Sequence, residues 1–503
     1  MYWYRQGKAL WRSSNFSCVL LAAIFTNALR AAERPELTRL FPPGGQAGTV
    51  VDVEATGKFP VWPIQAWSDS DSIRWSFDAS SGKLKATIDA SAKPGLHWLR
   101  LYHPNGATSV RPFLVSDMPE QIEVEPNNRV AEANAVLAVP ACFQGVLGKR
   151  GDVDMVSVML TAGQKLVATV DASQLLRSPV DAILQLLDSD GFVMAENLDH
   201  FGLDPSLEFV APRDGKYFVR VFGFPSAPDS TIAFGGGADW IYRLRLQSEV
   251  APLVDPSSNG SLGSEAGSEA ICRAIEHGES ISRDTAISIE VPARLRGTIA
   301  QSGQQNYVRF KGVAGQSYRI QLRAREFGSA LDGTIAVFDA QGKQLSQQDD
   351  VGNDRDPDLK WKAPADGDYF IEVSDFHQTG GSDYGFELLV SAVLPDFSLS
   401  VPNDLIQVVV GKETEIQVKL NREGDFVGEI LVSLHELPNG VDCPVVRSIQ
   451  GSDTEKKITL KVKSTALFQG PLKISAKAVD LEDCVRIATT DDEKPMWLSS
   501  IVE

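Results

Sequence analysis

GDVDMVSVMLTAGQKL at 151–166 and APRDGKYFVRV at 211–221 decide how this chain folds, because near-copies of both return as QQNYVRFKGVAGQSY at 304–318 and APADGDYFIEV at 363–373. The pairs Gly145/Gly297, Gly163/Gly315, Asp204/Asp356, Pro212/Pro364, Gly215/Gly367 and Tyr217/Tyr369 all keep one separation, 297 − 145 = 152 residues. Solenoid repeats have periods of about 20–50 residues. A period this long means that a whole domain has been duplicated, so the chain is an assembly of modules.

Working outward, nearly every apolar run alternates with period two. Tyr318-Ile320-Leu322, Leu166-Ala168-Val170, Ile416-Val418-Leu420 and Ile458-Leu460-Val462 each place apolar side chains on one face of an extended segment. That is the pattern of a half-buried antiparallel strand. Asn105-Gly106, Asp190-Gly191, Asp214-Gly215, Gln341-Gly342 and Asp366-Gly367 punctuate the runs as turns. No sustained helical period follows the first 31 residues. The expectation is an all-β chain of tandem β-sandwiches. Its divisions fall at 33–118 (Ig-like), 120–248 (first repeat), 249–270 (a Ser/Gly/Glu-rich linker), 271–393 (second repeat) and 396–503 (Ig-like). The first repeat carries an insertion around Pro225–Trp240 before its last strand, Tyr242–Leu246, whose counterpart is Tyr384–Val390.

Residues 1–31 read differently. Arg5, Lys8 and Arg12 precede the apolar run Phe16–Phe25, and Thr26-Asn27-Ala28 and Leu29-Arg30-Ala31 offer small-residue exits. This is the order of a secretory signal peptide. The run is too short to cross ~30 Å of hydrocarbon as an anchor. Export then places the chain outside the cytoplasm: secreted, at the cell surface or periplasmic. The chain's net charge is −18, and removing the four basic residues of the leader gives 44 − 66 = −22. Such a balance argues against nucleic acid as a partner and supplies carboxylates for divalent cations. An oxidising compartment permits disulfides. Cys443 and Cys484 share the last module and are candidates to pair; Cys142 and Cys272 have no assigned partner. There is no C-x-x-C to suggest zinc or thioredoxin chemistry.

GDVDMVSV, the Gly-Gln turn and APRDGKYFVRV, preceded by EVEPNN at Glu123–Asn128, resemble the bacterial pre-peptidase C-terminal (PPC) domain. That family is appended to secreted proteases and is related to the collagen-binding domains of clostridial collagenases, which are jelly-roll-like β-sandwiches. The resemblance covers 120–248 and, without the opening EPNN motif, 290–393. PPGGQAGTVVDV and PGLHWLRLYHPNG in the first module resemble an Ig/TIG-like domain. In the collagen-binding relatives an E-x-E-x-N segment and a downstream aspartate pair bind calcium. The resemblance therefore implies a Ca2+ site at Glu123, Glu125, Asn127, Asp152 and Asp154. The chemistry is apt on its own terms, since calcium takes six to eight hard oxygen ligands and period-two spacing aims the first three residues to one side. The alternative is a solvated acidic lead-in closed by a Pro-Asn turn that Asn128 caps, with Asp152 and Asp154 as loop residues. In the second repeat His277 and Glu279 stand for Glu125 and Asn127, and Gln304 and Asn306 for Asp152 and Asp154, so the site is expected to be lost there. The acidic run Asp349, Asp350, Asn353, Asp354, Asp356 and Asp358 lacks EF-hand spacing and reads as a solvated turn-forming loop.

Catalytic constellations are not evident. His97, His103, His200, His277, His377 and His435 sit in no nucleophile context, and no G-x-S-x-G segment occurs. His435-Glu436 begins a zincin-like string, but Asn439 stands where the second histidine belongs. Arg150-Gly151-Asp152 spells an integrin-type tripeptide. Trp62, Trp67, Trp75 and Trp98 form either a sugar-stacking platform or ordinary core. The reading is an exported, non-catalytic binding or spacing protein for an extracellular protein or polysaccharide. The alternative is an accessory or targeting subunit of a secreted peptidase.

Overall fold

Strand is what alternating sequence of this kind must form, and the computed structural model is all-β throughout its described residues: 33–136, 138–225, 234–248, 272–274 (backbone), 280–325, 329–350, 356–481 and 484–502. The proposed leader, the Ser/Gly/Glu-rich linker, His277, Glu279, Asn353 and Asp354 lie outside them. Among the described residues helix is confined to short segments such as Ser173–Leu176. None is long and apolar enough to cross a membrane.

Sheets come in facing sets along the chain. The first set orders Glu36–Phe41, Val50–Lys58, Lys83–Ile88 and Ile73–Phe77 in one sheet. Its partner sheet orders Gly44–Gln46, Arg111–Ser116, Gly95–His103 and Gln65–Ser68. Between them lie Leu40, Val53, Ala86, Leu99, Leu101 and Phe113. The four tryptophans of this region are not a free platform. Trp62 packs on Phe59 and Phe77, Trp75 packs edge-on to Phe113, Trp98 is buried, and Trp67 meets Trp497 from the far end of the chain.

The two repeats have one topology. In the first, a sheet orders Glu120–Ile122, Ala141–Val146, Ile241–Gln247, Lys165–Asp171 and Ser206–Val210. It faces a sheet of Asn134–Ala135, Val153–Leu160, Gly215–Gly223, Ala182–Leu187 and Val193–Asn197. The second repeat copies this order with Ala293–Thr298, Gln305–Gly312, Ser317–Arg323, Asp358–Lys362 and Gly367–Asp375 in the matching places, each 152 residues on (293 − 141 = 152). After the insertion the offset falls. Gly145 pairs with Tyr242, whereas Gly297 pairs with Phe386, an offset of 386 − 242 = 144. Register therefore puts Phe386, not Tyr384, at the place of Tyr242.

The repeated motif residues build this frame. Gly163 and Gly315 take φ of +81° and +78° in equivalent turns, where a β-carbon would be strained. Tyr217 donates its hydroxyl hydrogen to the Arg213 carbonyl (2.9 Å), and Tyr369 does the same to Ala365 (2.8 Å). Asp204 accepts from the backbone N–H groups of Ala172, Ser173 and Gln174, as Asp356 does from Ala324 and Arg325. Asp358 is committed to Arg319, so these two members of the acidic run are structural.

The last region has sheets of five, three and four strands around Phe397, Val418, Leu420, Ile430, Val432, Leu460 and Ile474. Cys443 and Cys484 are both free thiols there, against the expected pairing. Cys443 lies near the Pro444 carbonyl, while the Cys484 thiol points to Asp396. This region also reaches the first. Arg100, fully buried, bonds Asp404 at 2.6 Å and lies 5.6 Å from the centroid of the Trp497 ring, which also packs on Tyr102.

Candidate metal centre

The segment that opens the first repeat is held extended by its neighbours. Asn134 clasps Val124 twice, accepting from its N–H (2.7 Å) and donating to its carbonyl (2.9 Å). Glu123 donates its backbone N–H to the Gln144 carbonyl. With both sides of Val124 fixed, Glu123 and Glu125 flank it at period-two spacing. Further on, the Asn127 carbonyl accepts from Met155 N–H, and Asn128 Oδ1 accepts from Val153 N–H at 3.1 Å. Asn128 thus ties the segment to the strand Val153–Leu160 instead of capping a local turn. These bonds set Glu125 and Asn127 beside Asp152 and Asp154.

Asp152 and Asp154 are not solvated loop residues. Asp154 lies within the strand Val153–Leu160, and Asp154, Asp152 and Asn127 are 0%, 2% and 0% exposed. One carboxylate oxygen from each of Glu125, Asp152 and Asp154 lies within 4.8 Å of the others. Each buried carboxylate has one satisfied oxygen. Asp152 Oδ2 accepts from Gly148 N–H (2.7 Å), Asp154 Oδ2 from the Tyr242 hydroxyl (2.8 Å), and Glu123 Oε1 from Val146 N–H (2.9 Å). The other oxygens, Asp152 Oδ1, Asp154 Oδ1 and Glu123 Oε2, are buried without a hydrogen-bond partner, as are both side-chain polar atoms of Asn127. Buried polar atoms nearly always find partners, so five orphans in one place are a pattern to explain.

Electrostatics agree. Burial, and then the nearby Asp154 charge, push the Glu123 carboxyl well above the usual range. Asp154 is raised by burial and by Asp152 and Glu125, against the opposing hydrogen bond from Tyr242. Like charges without a cation disfavour ionisation. A hard divalent cation would supply the missing positive charge, and carboxylates with an amide carbonyl are the donor set calcium takes. Tyr242 is the member that sequence reasoning missed. It stands 88 residues from Asp154, beyond the insertion, and its pairing with Gly145 is visible only in the structure. A β-carbon on Gly145 would lie 2.4 Å from the Tyr242 hydroxyl oxygen, so the glycine makes room for the ring.

The second repeat fills the same place with neutral amides. Gln304 Oε1 accepts from Ala300 and Gln301 N–H groups (3.0 and 3.1 Å), while its Nε2 donates to Thr298 O and to Asn306 Oδ1 (3.2 and 2.9 Å). Phe386, without a hydroxyl, replaces Tyr242. Ser280 provides the carbonyl that accepts from Tyr307 N–H, one position past the regular offset (127 + 152 = 279).

Other sequence candidates separate. The Arg150-Gly151-Asp152 tripeptide is not displayed, because Asp152 is buried in the cluster. His97 sits by Asp69 and the Lys93 carbonyl, His377 by Asp332, and His435 by Glu436.

Residues 152–223 match the family described as "Bacterial pre-peptidase C-terminal domain". A probable subtilase-type serine protease of Deinococcus radiodurans is 29% identical over 200 residues, 39% of this chain and 26% of that protein. The match thus spans about a quarter of that relative's length. Among solved structures, the pre-peptidase C-terminal domain of a Bacillus anthracis collagenase aligns at 15% identity and a TM-score of 0.18, over 21% of this chain and 94% of that one. The Aeromonas hydrophila periplasmic inhibitor of g-type lysozyme, PliG, aligns at 17% identity and a TM-score of 0.18, over 24% and 99%. With Asp152 and Asp154 at the head of the matched segment, this chain carries a bacterial pre-peptidase C-terminal domain.

Proposed function

We propose that this is an exported, non-catalytic β-sandwich protein that binds or spaces partners outside the cytoplasm, and that its first repeat holds a calcium ion. The division into modules at 33–118, 120–248, 271–393 and 396–503 belongs to this proposal. Glu123, Glu125, Asn127, Asp152 and Asp154 would hold the ion. Bound there, it would offset the mutual repulsion of the carboxylates and lock the opening segment of the repeat to the strand Val153–Leu160. The observation that carries the reading is the set of orphaned oxygens on Asp152, Asp154 and Glu123, gathered with the unpartnered Asn127 amide. The partner would be an extracellular protein or polysaccharide engaged by loops on a rigid scaffold.

Calorimetric titration and melting tests it. With calcium at a hundred times its Kd, the protein gains ~2.7 kcal/mol of stability over chelator-treated protein. Asp154→Asn removes that gain. Equal melting with calcium and with chelator refutes the calcium site.

A second reading is favoured by the likeness to a subtilase-type protease: an accessory that targets a secreted peptidase to protein substrates. Co-purification of a peptidase with the tagged chain from culture medium distinguishes it from a binding or spacing role without a peptidase.

A further inference from the structure

A cavity of about 170 Å³ lies between the first sheet set and the first repeat. Arg39, Arg111 and Arg177 line it, together with Ser178 and a single acidic residue, Asp239. The lining thus carries three cations and one anion, in a chain whose net charge is −18.

The partners of these arginines bear on their availability. Arg100 and Arg243, both buried, and Arg245, half-buried, each pair with a carboxylate: Asp404, Glu120 and Asp171. Among the described residues the three cavity arginines hydrogen-bond only to carbonyls, with the Glu54 carboxylate near Arg39 and the Asp492 carboxylate near Arg177. Arg39 donates to Ala238 O, Arg111 Nε to Leu37 O at 2.9 Å, and Arg177 to Asp492 O at 3.4 Å. The Nε of Arg39 is buried with no partner at all. Burial also weakens the hold of Arg111 on its proton, with Asp239 and Asp404 only partly opposing it. Arg177 follows the short helix Ser173–Leu176 with φ of +55°, a position that glycine or asparagine fills more readily.

Guanidinium groups present forked N–H donors that match oxyanions and remain charged at every physiological pH. We propose that this cavity binds a small doubly charged oxyanion, a phosphate either free or as a monoester, on Arg39, Arg111 and Arg177. Because the first sheet set supplies Arg39 and Arg111 and the first repeat supplies Arg177, the bound anion would pin the two together. The site is separate from the carboxylate cluster and does not depend on calcium.

The test uses the full chain freed of phosphate, with ionic strength held constant by sodium chloride. Inorganic phosphate and glycerol phosphate are the probes, followed by calorimetry and thermal melting. The expected result is a melting temperature that rises with the logarithm of phosphate concentration. Binding should weaken at least tenfold in Arg39→Gln and in Arg177→Asn. The asparagine suits the left-handed backbone, so this second variant should melt like the parent without phosphate and keeps the test decisive if Arg39→Gln folds poorly. Binding of inorganic phosphate alone supports a free-ion site, and binding of both probes supports a site that accepts esters. Equal stabilisation by chloride at the same ionic strength, or unchanged phosphate binding by a folded Arg177→Asn protein, overturns the proposal.

Discussion

The two repeats share a frame and differ in what the frame encloses. Both keep the strand order, the left-handed glycine turn, the tyrosine hydroxyl on a carbonyl four residues back, and the aspartate that receives backbone N–H groups. At the head of the second strand, however, the first repeat buries carboxylates with orphaned oxygens, while the second buries a glutamine and an asparagine whose bonds close on themselves. Their surfaces differ too. The strand Ser317–Arg323 alternates between buried and half-buried, as a sheet with one covered face does, whereas Lys165–Asp171 is buried along nearly its whole length. The first repeat packs against the first sheet set through Leu114, Leu176 and Ile241 and through Gln144 near Gly44. The comparison teaches that a fold signature records architecture. The repeated motif residues are retained in both copies, and the chemistry has diverged at positions that leave the architecture unchanged.

The comparison can be broken most forcefully by moving the charge. Replacing Gln304 and Asn306 together by aspartate puts two carboxylates where the amides now satisfy each other, and should cost roughly 3–5 kcal/mol in urea unfolding, the usual penalty for uncompensated buried charge. A cost near zero would mean that the second repeat already tolerates the first repeat's chemistry. A smaller effect is expected from Tyr242→Phe, which gives the first repeat the residue found at 386 and removes the donor to Asp154. In calcium-free buffer the loss should be about 1–3 kcal/mol.

What the sequence made legible follows from these distances. The duplication, the alternation and the glycine turns are local or periodic signals, and the strands occur where those signals lie. Grouping Glu125 with Asp152 and Asp154 came from the resemblance to the collagen-binding relatives, whose E-x-E-x-N segment and downstream aspartate pair these residues match. Tyr242 was out of reach, since an insertion of uncertain length hides which residue of the last strand faces Gly145. Cys443 and Cys484 illustrate the reverse error: sharing one region says nothing about whether two β-carbons approach within bonding reach. The tryptophans of the first sheet set were ambiguous because Trp497, which covers Trp67, lies more than four hundred positions later (497 − 67 = 430).

The shared frame has its own test. Tyr217→Phe and Tyr369→Phe should each cost about 1 kcal/mol, the worth of one such hydrogen bond, and the two losses should agree within error in parallel denaturation curves. Unequal losses would show that the tyrosine has taken a different part in one copy.

The smallest expected effect is on pH dependence. Burial alone would raise the Asp375 carboxyl, but bonds from the Thr379 N–H and hydroxyl and from the Asp332 N–H outweigh it and hold it below the ordinary value. Its contribution is therefore present above the unfolded-state value of about 3.9 and is lost as pH falls through the lower folded-state value. The first repeat has Gly223 at this place (375 − 152 = 223). Acid titration of Asp375→Asn should show a shallower loss of stability below about pH 4 than the parent chain.

The bond from Arg100 to Asp404, roofed by Trp497, has a practical consequence for anyone who dissects this protein. Spatial neighbours here are not sequence neighbours, because the opening sheets lean on the closing ones across 304 positions. A fragment that stops before the closing region would bare Trp67 and Tyr102 and leave a buried guanidinium without its counter-charge. Such a piece is expected to be sticky and less stable than its parent, so ligand screens should begin with the uncut polypeptide.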